Sequence, residues 1–225
     1  MKKLLLIVIL FAAVCSAKAQ NIQTHYDFGK DRDYLTTTIE MFKVDKLGNT
    51  FFFVDFDYGV NGNKGVSLSY MEIARCFKIA KTPFSAHIEY NGGFGQFKSS
   101  PINGAFQIND AWLAGIDYSW NAKDYSKGFS LKALYKNIRG NEYNNSFQLT
   151  AVWYAHFFDK KVSFTGFADF WREKKGDNKF VFLTEPQLWY NINETFSLGG
   201  EVEISKGFIS DDFTVNPTLA AKWNF

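Results

Sequence analysis

From Gln20 onward, apolar residues recur at every second position in one segment after another, which is the signature of half-exposed β-strands. The last segment carries it most fully. Phe213, Val215, Pro217, Leu219, Ala221, Trp223 and Phe225 alternate with Thr214, Asn216, Thr218, Ala220, Lys222 and Asn224. The same alternation runs through Phe147, Leu149, Ala151, Trp153, Ala155 and Phe157, through Phe52, Val54, Phe56 and Tyr58, and through Phe196, Leu198, Gly200, Val202 and Ile204. No comparable stretch carries the i, i+3, i+4, i+7 spacing of an amphipathic helix. The pattern predicts twelve strands, near 22–29, 33–44, 50–60, 65–78, 84–94, 108–120, 128–138, 146–158, 161–172, 179–192, 195–207 and 213–225. The segment 65–78 changes register: Val66, Leu68 and Tyr70 alternate one way and Phe77 and Ile79 the other. A bulge between Met71 and Arg75 would reconcile the two and turn Glu72 to the polar face. Turns at Leu47-Gly48-Asn49, Lys81-Thr82-Pro83, Asp159-Lys160 and Asn193-Glu194 are tight, and between them fall longer polar links at 95–107, 139–145 and 173–178, although 61–64 is short and 121–127 spoils strict alternation.

A soluble sandwich and a membrane barrel both alternate, so strand length and the ends of the strands decide between them. Sandwich strands average about 5–6 residues, whereas membrane-spanning strands need about 9–11, and most of these segments reach the longer figure. Trp112, Tyr118, Trp120, Trp153, Tyr190 and Trp223 fit girdles at two lipid–water interfaces. An even strand number puts both termini on one side, with the short turns there and the longer loops opposite. In lipid, an open sheet edge would leave backbone groups unpaired at several kcal/mol each, so the sheet must close. The expected fold is all-β, a twelve-stranded antiparallel up-and-down transmembrane β-barrel over residues 20–225.

Residues 1–19 read as a signal peptide: Lys2 and Lys3, an apolar run from Leu4 to Val14, and Ala17-Lys18-Ala19 before Gln20. A competing reading lipidates Cys15, although Val14 is a poor neighbour for such a site. Cleavage removes Lys2, Lys3, Lys18 and Cys15, leaving 22 basic against 23 acidic residues and Cys76 as the only cysteine. No intramolecular disulfide is then possible, and the near-neutral charge argues against nucleic acid as a partner. A mean hydropathy of −0.20 excludes a bundle of membrane-spanning helices but not a barrel, whose strands are half polar. The expected site is therefore the bacterial outer membrane, with its lipid as one partner.

If the apolar stripes meet lipid, the other face encloses the interior. That assigns Gln23, His25, Asp27, Thr36, Thr38, Glu40, Asp55, Asp57, His87, Glu89, Asp117, Lys132, Lys136, His156, Asp169, Trp171, Glu185, Gln187, Trp189, Glu201, Glu203 and Lys222 inward. Acids dominate, which favours cations and tolerates neutral solutes. Phe51, Phe53, Phe167, Trp171 and Trp189 share this face, so either they pack into a plug or they offer stacking surfaces. The candidate solute-binding set is Phe51, Phe53, Asp55, Asp57, Glu40, Glu72, Phe167, Asp169, Trp171, Glu185, Trp189, Glu201 and Glu203. A hydrolase reading rests on His25, His87 and His156. His87 shares a face with Glu89 and Ser85, but no hydrolase motif surrounds them. Metal binding by His25, Asp27 and His87 would require distant strands to converge. No catalytic residue, metal or cofactor is expected.

Several short motifs carry a resemblance. Asp33-Tyr34-Leu35, Thr38-Ile39-Glu40-Met41-Phe42, Phe51-Phe52-Phe53-Val54-Asp55, Tyr70-Met71-Glu72-Ile73-Ala74-Arg75, Phe164-Thr165-Gly166-Phe167-Ala168-Asp169-Phe170 and the terminal Trp223-Asn224-Phe225 resemble the Tsx-like nucleoside-channel family. The segment Met71 to Arg75 is one residue shorter than the family's Met-Glu-Ile-x-x-Arg element, and the chain is shorter than the enteric channels, as in a distant branch. The C-terminal aromatic also resembles the ending common among outer-membrane barrels. The resemblance implies a monomeric twelve-stranded barrel with a narrow pore passing nucleosides. The expected function is passive passage of small neutral solutes, nucleosides first. A structural or adhesive barrel with a blocked interior is the alternative, and an outer-membrane lipid hydrolase comes third.

Overall fold

The computed structural model describes residues 20–99, 102–175 and 177–225, so the expected signal peptide at 1–19 lies outside the described residues. The strands are β1 (Gln20–Asp27), β2 (Tyr34–Val44), β3 (Gly48–Tyr58), β4 (Val66–Lys78), β5 (Phe84–Ser99), β6 (Ile102–Asn121), β7 (Lys127–Ile138), β8 (Asn145–Phe157) and β9 (Val162–Lys175). The tenth is broken into β10a (Asn178–Thr184) and β10b (Gln187–Asn191), and β11 (Phe196–Lys206) and β12 (Phe213–Asn224) complete the set. Each strand pairs antiparallel with its neighbours in sequence. The sheet closes where β1 meets β12, from Asn21 opposite Asn224 to Asp27 opposite Thr218. Closure satisfies every ladder without an edge, the condition for a sheet in hydrocarbon. Among the described residues the only helical piece is the 3-10 turn Val60–Gly62.

The alternating stripes point outward as expected: Phe213 and Leu219, at 63% and 68% exposure, stand on the outer wall. Aromatic residues collect near the tight-turn end, where Trp120 stacks on Phe129 at 5.7 Å and Tyr118 meets both Phe84 and Phe129. Gln20 and Phe225 both lie at this end, and the Phe225 amide donates to the Gln20 carbonyl at 3.0 Å.

Three expectations about the strands are corrected. In β4 there is no bulge between Met71 and Arg75, since residues 68–77 pair without interruption with β3 on one side and β5 on the other. Leu68 and Tyr70 simply share the inner face with Glu72, and the Tyr70 hydroxyl, donating to Glu72 at 2.7 Å, supplies the polar partner that its burial needs. The irregularities of the β3–β4 and β5–β6 ladders fall instead at Asp57/Tyr58 and at Asn91/Gly93.

The expected loop at 95–107 is an extension of the β5–β6 hairpin, described up to Ser99 and again from Ile102. Its glycines hid the strand signal, yet each is covered by an aromatic ring across the ladder. Phe106 lies opposite Gly95 and Phe97 opposite Gly104. A β-carbon at Gly95 would fall 2.2 Å from the Phe106 ring, so the ring occupies the space that a side chain would fill.

The tenth strand, expected to run continuously from 179 to 192, stops at Glu185-Pro186. Pro186 has no amide hydrogen to give, so the ladder lapses there. Its carbonyl still accepts from the Val202 amide at 3.0 Å, while the Glu185 amide reaches the Phe167 carbonyl at 3.1 Å.

Candidate functional site

Strand register settles which side chains share the interior. Glu40 faces Phe53, Thr38 faces Asp55 and Thr36 faces Asp57 across β2–β3. Phe53 faces Glu72 across β3–β4, and Gln187 faces Glu201 across β10b–β11. Every residue of the expected solute-binding set is on the inner face. Access divides them. Phe51, Phe53, Asp55, Asp57, Glu40, Glu72, Phe167, Asp169, Glu185 and Glu201 are half-buried and retain partial solvent access. Trp189 and Trp171, at 0% and 5% exposure, are sealed, and Glu203 is buried too. Those three are packed against neighbouring side chains rather than left half-open. Lys222 lies over the Trp189 ring at 3.9 Å and Lys136 over Trp171 at 4.4 Å, so cations occupy the faces that a solute would have used.

The accessible carboxylates are held by neutral donors. Thr36 donates to Asp57 at 2.7 Å, Thr38 to Asp55 at 2.6 Å, Thr150 to Asp169 at 2.5 Å, Gln187 to Glu201 at 2.9 Å and Asn21 to Glu40 at 2.9 Å. A hydroxyl or amide orients a carboxylate without cancelling its charge, so the lumen stays electronegative and keeps a spare acceptor oxygen at most of these sites. Glu185 lies within electrostatic range of Glu201, Glu203, Asp55 and Asp169, acids carried by β11, β3 and β9. Beside them Phe53 is 6.0 Å from both Phe51 and Tyr70, a tilted aromatic patch on the β3–β4 wall.

Apolar packing and a charged clamp lie toward the long-loop end. Ala111, Leu113, Leu134, Ile138, Trp171, Val181 and Leu183 form an apolar cluster inside the wall, with Phe167 and Phe208 packed against it. Phe208 comes from the β11–β12 loop and meets Trp171 edge-on at 6.1 Å. Arg32, from the β1–β2 loop, spans Asp27 at 2.7 Å and Glu203 at 3.0 Å. Sequence reading missed this clamp because Arg32 lies in a link between strands, where alternation carries no information.

The three histidines are not gathered. His25 contacts Gln23 and Thr218 at 3.1 and 3.0 Å, and His156 contacts Ser163 at 2.9 Å. His87 lies between Glu89, at 2.8 Å, and Cys76, at 3.2 Å. The expected neighbour Ser85 does not reach it; Cys76 does, because the turn at 79–83 pairs Cys76 directly with His87.

Solved structures share this architecture. A KdgM porin, solved "in complex with disordered oligogalacturonate", is 10% identical, with a TM-score of 0.50 over 92% of this chain and 99% of that one. A NanC porin is also 10% identical, with a TM-score of 0.59 over 92% of this chain and 100% of that one. At this identity the likeness establishes the outer-membrane type of barrel. No curated protein matches the sequence. The family model described as "Domain of unknown function (DUF5020)" matches residues 19–225, and the chain belongs to that family.

Proposed function

We propose that the protein is a passive outer-membrane channel for small neutral or weakly cationic solutes, with nucleosides the preferred class. The supporting observation is the run of water-accessible carboxylates oriented by neutral donors beside the Phe51–Phe53–Tyr70 patch. Rings stack on the flat face of a base, and spare carboxylate oxygens accept from sugar hydroxyls. The same carboxylates repel anions, so an acidic oligosaccharide such as the one held by the KdgM porin is disfavoured here. The short motifs that resemble Tsx-like channels agree with this choice of solute. No reaction step is part of this reading.

Planar-bilayer conductance and liposome swelling on the purified barrel test it. Cation-selective conductance and uridine entry are expected, and absence of both overturns the channel. Phe53→Ala is expected to raise the half-saturating uridine concentration about five-fold or more, the loss of one stacking contact. An unchanged value removes the aromatic site. A blocked, structural barrel is the second reading. The Phe208-capped apolar cluster and the Arg32 clamp at the long-loop end favour it.

A further inference from the structure

We propose that Cys76, His87 and Asp117 form a binding site for a thiophilic divalent transition metal, of the Zn(II) class, on the inner wall of β4–β6. The three side chains come from three adjacent strands and are all buried, Cys76 at 3% exposure. Their ligand atoms lie within 4.8 Å of one another. The Cys76 sulfur is 3.2 Å from His87 Nδ1 and 3.5 Å from Asp117 Oδ2. Around one tetrahedral zinc, with bonds of about 2.0–2.3 Å, such donors stand about 3.5 Å apart, so the cluster is already near that geometry.

The surroundings orient the donors. Glu89 accepts from His87 Nε2 at 2.8 Å, which puts the ring hydrogen on Nε2 and leaves the Nδ1 lone pair aimed at Cys76. This carboxylate–imidazole arrangement is the support that metal-bound histidines characteristically have. Ser119 donates to the other Asp117 oxygen at 3.1 Å and fixes that carboxylate as well. On binding, the Cys76 thiol releases its proton to water and the sulfur–metal bond forms. Thiolate and carboxylate then neutralise a divalent ion, which suits an interior wall. Three protein donors leave a fourth position for a water molecule.

A nucleophilic Cys–His–Glu reading of the same atoms fits less well. The sulfur is too buried for an acyl group to reach, and Asp117 would repel the negative charge developing during attack. The site shares no residue with the Phe51–Phe53 patch, which lies two positions along the same β3–β4 wall, and it stands whether or not solutes pass through the barrel.

The experiment uses the full folded barrel extracted from membranes, its fold checked by heat-modifiable gel mobility. Loading with Co(II) is expected to produce thiolate-to-metal charge-transfer absorption, and Zn(II) to be retained at one per chain after desalting. Cys76→Ser abolishes the absorption. Glu89→Gln keeps all three donors and is expected to weaken Zn(II) affinity about 10–100-fold, the usual cost of losing such a supporting carboxylate. A folded wild-type barrel that shows no charge-transfer band and retains no Zn(II) overturns the proposal, as does a band that persists in Cys76→Ser. The wild-type result decides alone if a variant fails to fold.

Discussion

Asp45 sits in the β2–β3 turn, outside the spanning region. Arg75 donates to both of its oxygens, at 2.8 and 2.9 Å, and the Leu47 and Gly48 amides add two more bonds. These donors, Arg75 foremost, hold the Asp45 carboxyl well below the usual carboxylate range. Arg75 itself lies on the outer face over the Phe77 ring at 5.2 Å, an arrangement suited to the membrane boundary. Because the folded state favours ionised Asp45, its contribution to stability is complete above the ordinary carboxylate value of about 4 and fades as pH falls below it. Asp45→Asn is therefore expected to lower the urea midpoint at pH 7, with the gap from wild type shrinking toward pH 2. An equal gap at both ends of that range would remove the charge argument.

Elements are held by cross-strand pairs, and the β5–β6 extension shows how. Phe106 over Gly95 and Phe97 over Gly104 supply the side-chain contacts that two glycines cannot. Each such pair contributes about 0.2–1 kcal/mol. Phe106→Ala is expected to speed amide exchange in the extension about two- to five-fold, while amides lower in β5 and β6 keep the wild-type rate. Uniform acceleration along both strands would mean that the extension does not behave as a local unit. The break at Pro186 carries a different lesson. Gly166 lies against it, where a β-carbon would come within 2.7 Å of the Glu185 carbonyl oxygen and 2.8 Å of the Trp153 ring. Residue 166 thus has no room for a side chain beside an interrupted strand.

At the scale of the whole barrel, lipid on one side and a charged lumen on the other set opposite rules for neighbouring residues. Leu219 is in the middle of β12 on the outer wall. Leu219→Arg is expected to destabilise the folded barrel by about 2–4 kcal/mol, the depth-dependent cost of a cation facing lipid. Thr218, one position away on the inner face, donates to the Glu201 carbonyl and accepts from the Glu201 amide. Thr218→Val removes those bonds without placing charge in lipid, so its cost is expected to be smaller, about 1 kcal/mol. Unfolding in detergent or lipid, followed by tryptophan fluorescence, checks both. Equal costs would contradict the assignment of the two faces.

The period-two pattern by itself determined the strand number, which stripe meets lipid and which residues look inward, because a strand that alternates in hydrophobicity has one consistent choice in a closed sheet. It also reached Glu72, despite the wrong reason offered for its orientation. It could not determine which inward residues are open to water. Phe53 and Trp189 read alike along the chain, and only the packing of Lys222 over Trp189 separates them. Nor could it read the β5–β6 extension, where glycines blank the pattern and rings from the partner strand restore it. Cys76 beside His87 was within reach once the turn at 79–83 was centred, since hairpin pairing is arithmetic. Adding Asp117 required β6 in register, and the Arg32 clamp required a loop to fold over the mouth. The first contact needs only the pairing of β5 with β6, whereas Arg32 and Glu203 are far apart along the chain, and only closure of the barrel at β1–β12 brings them together.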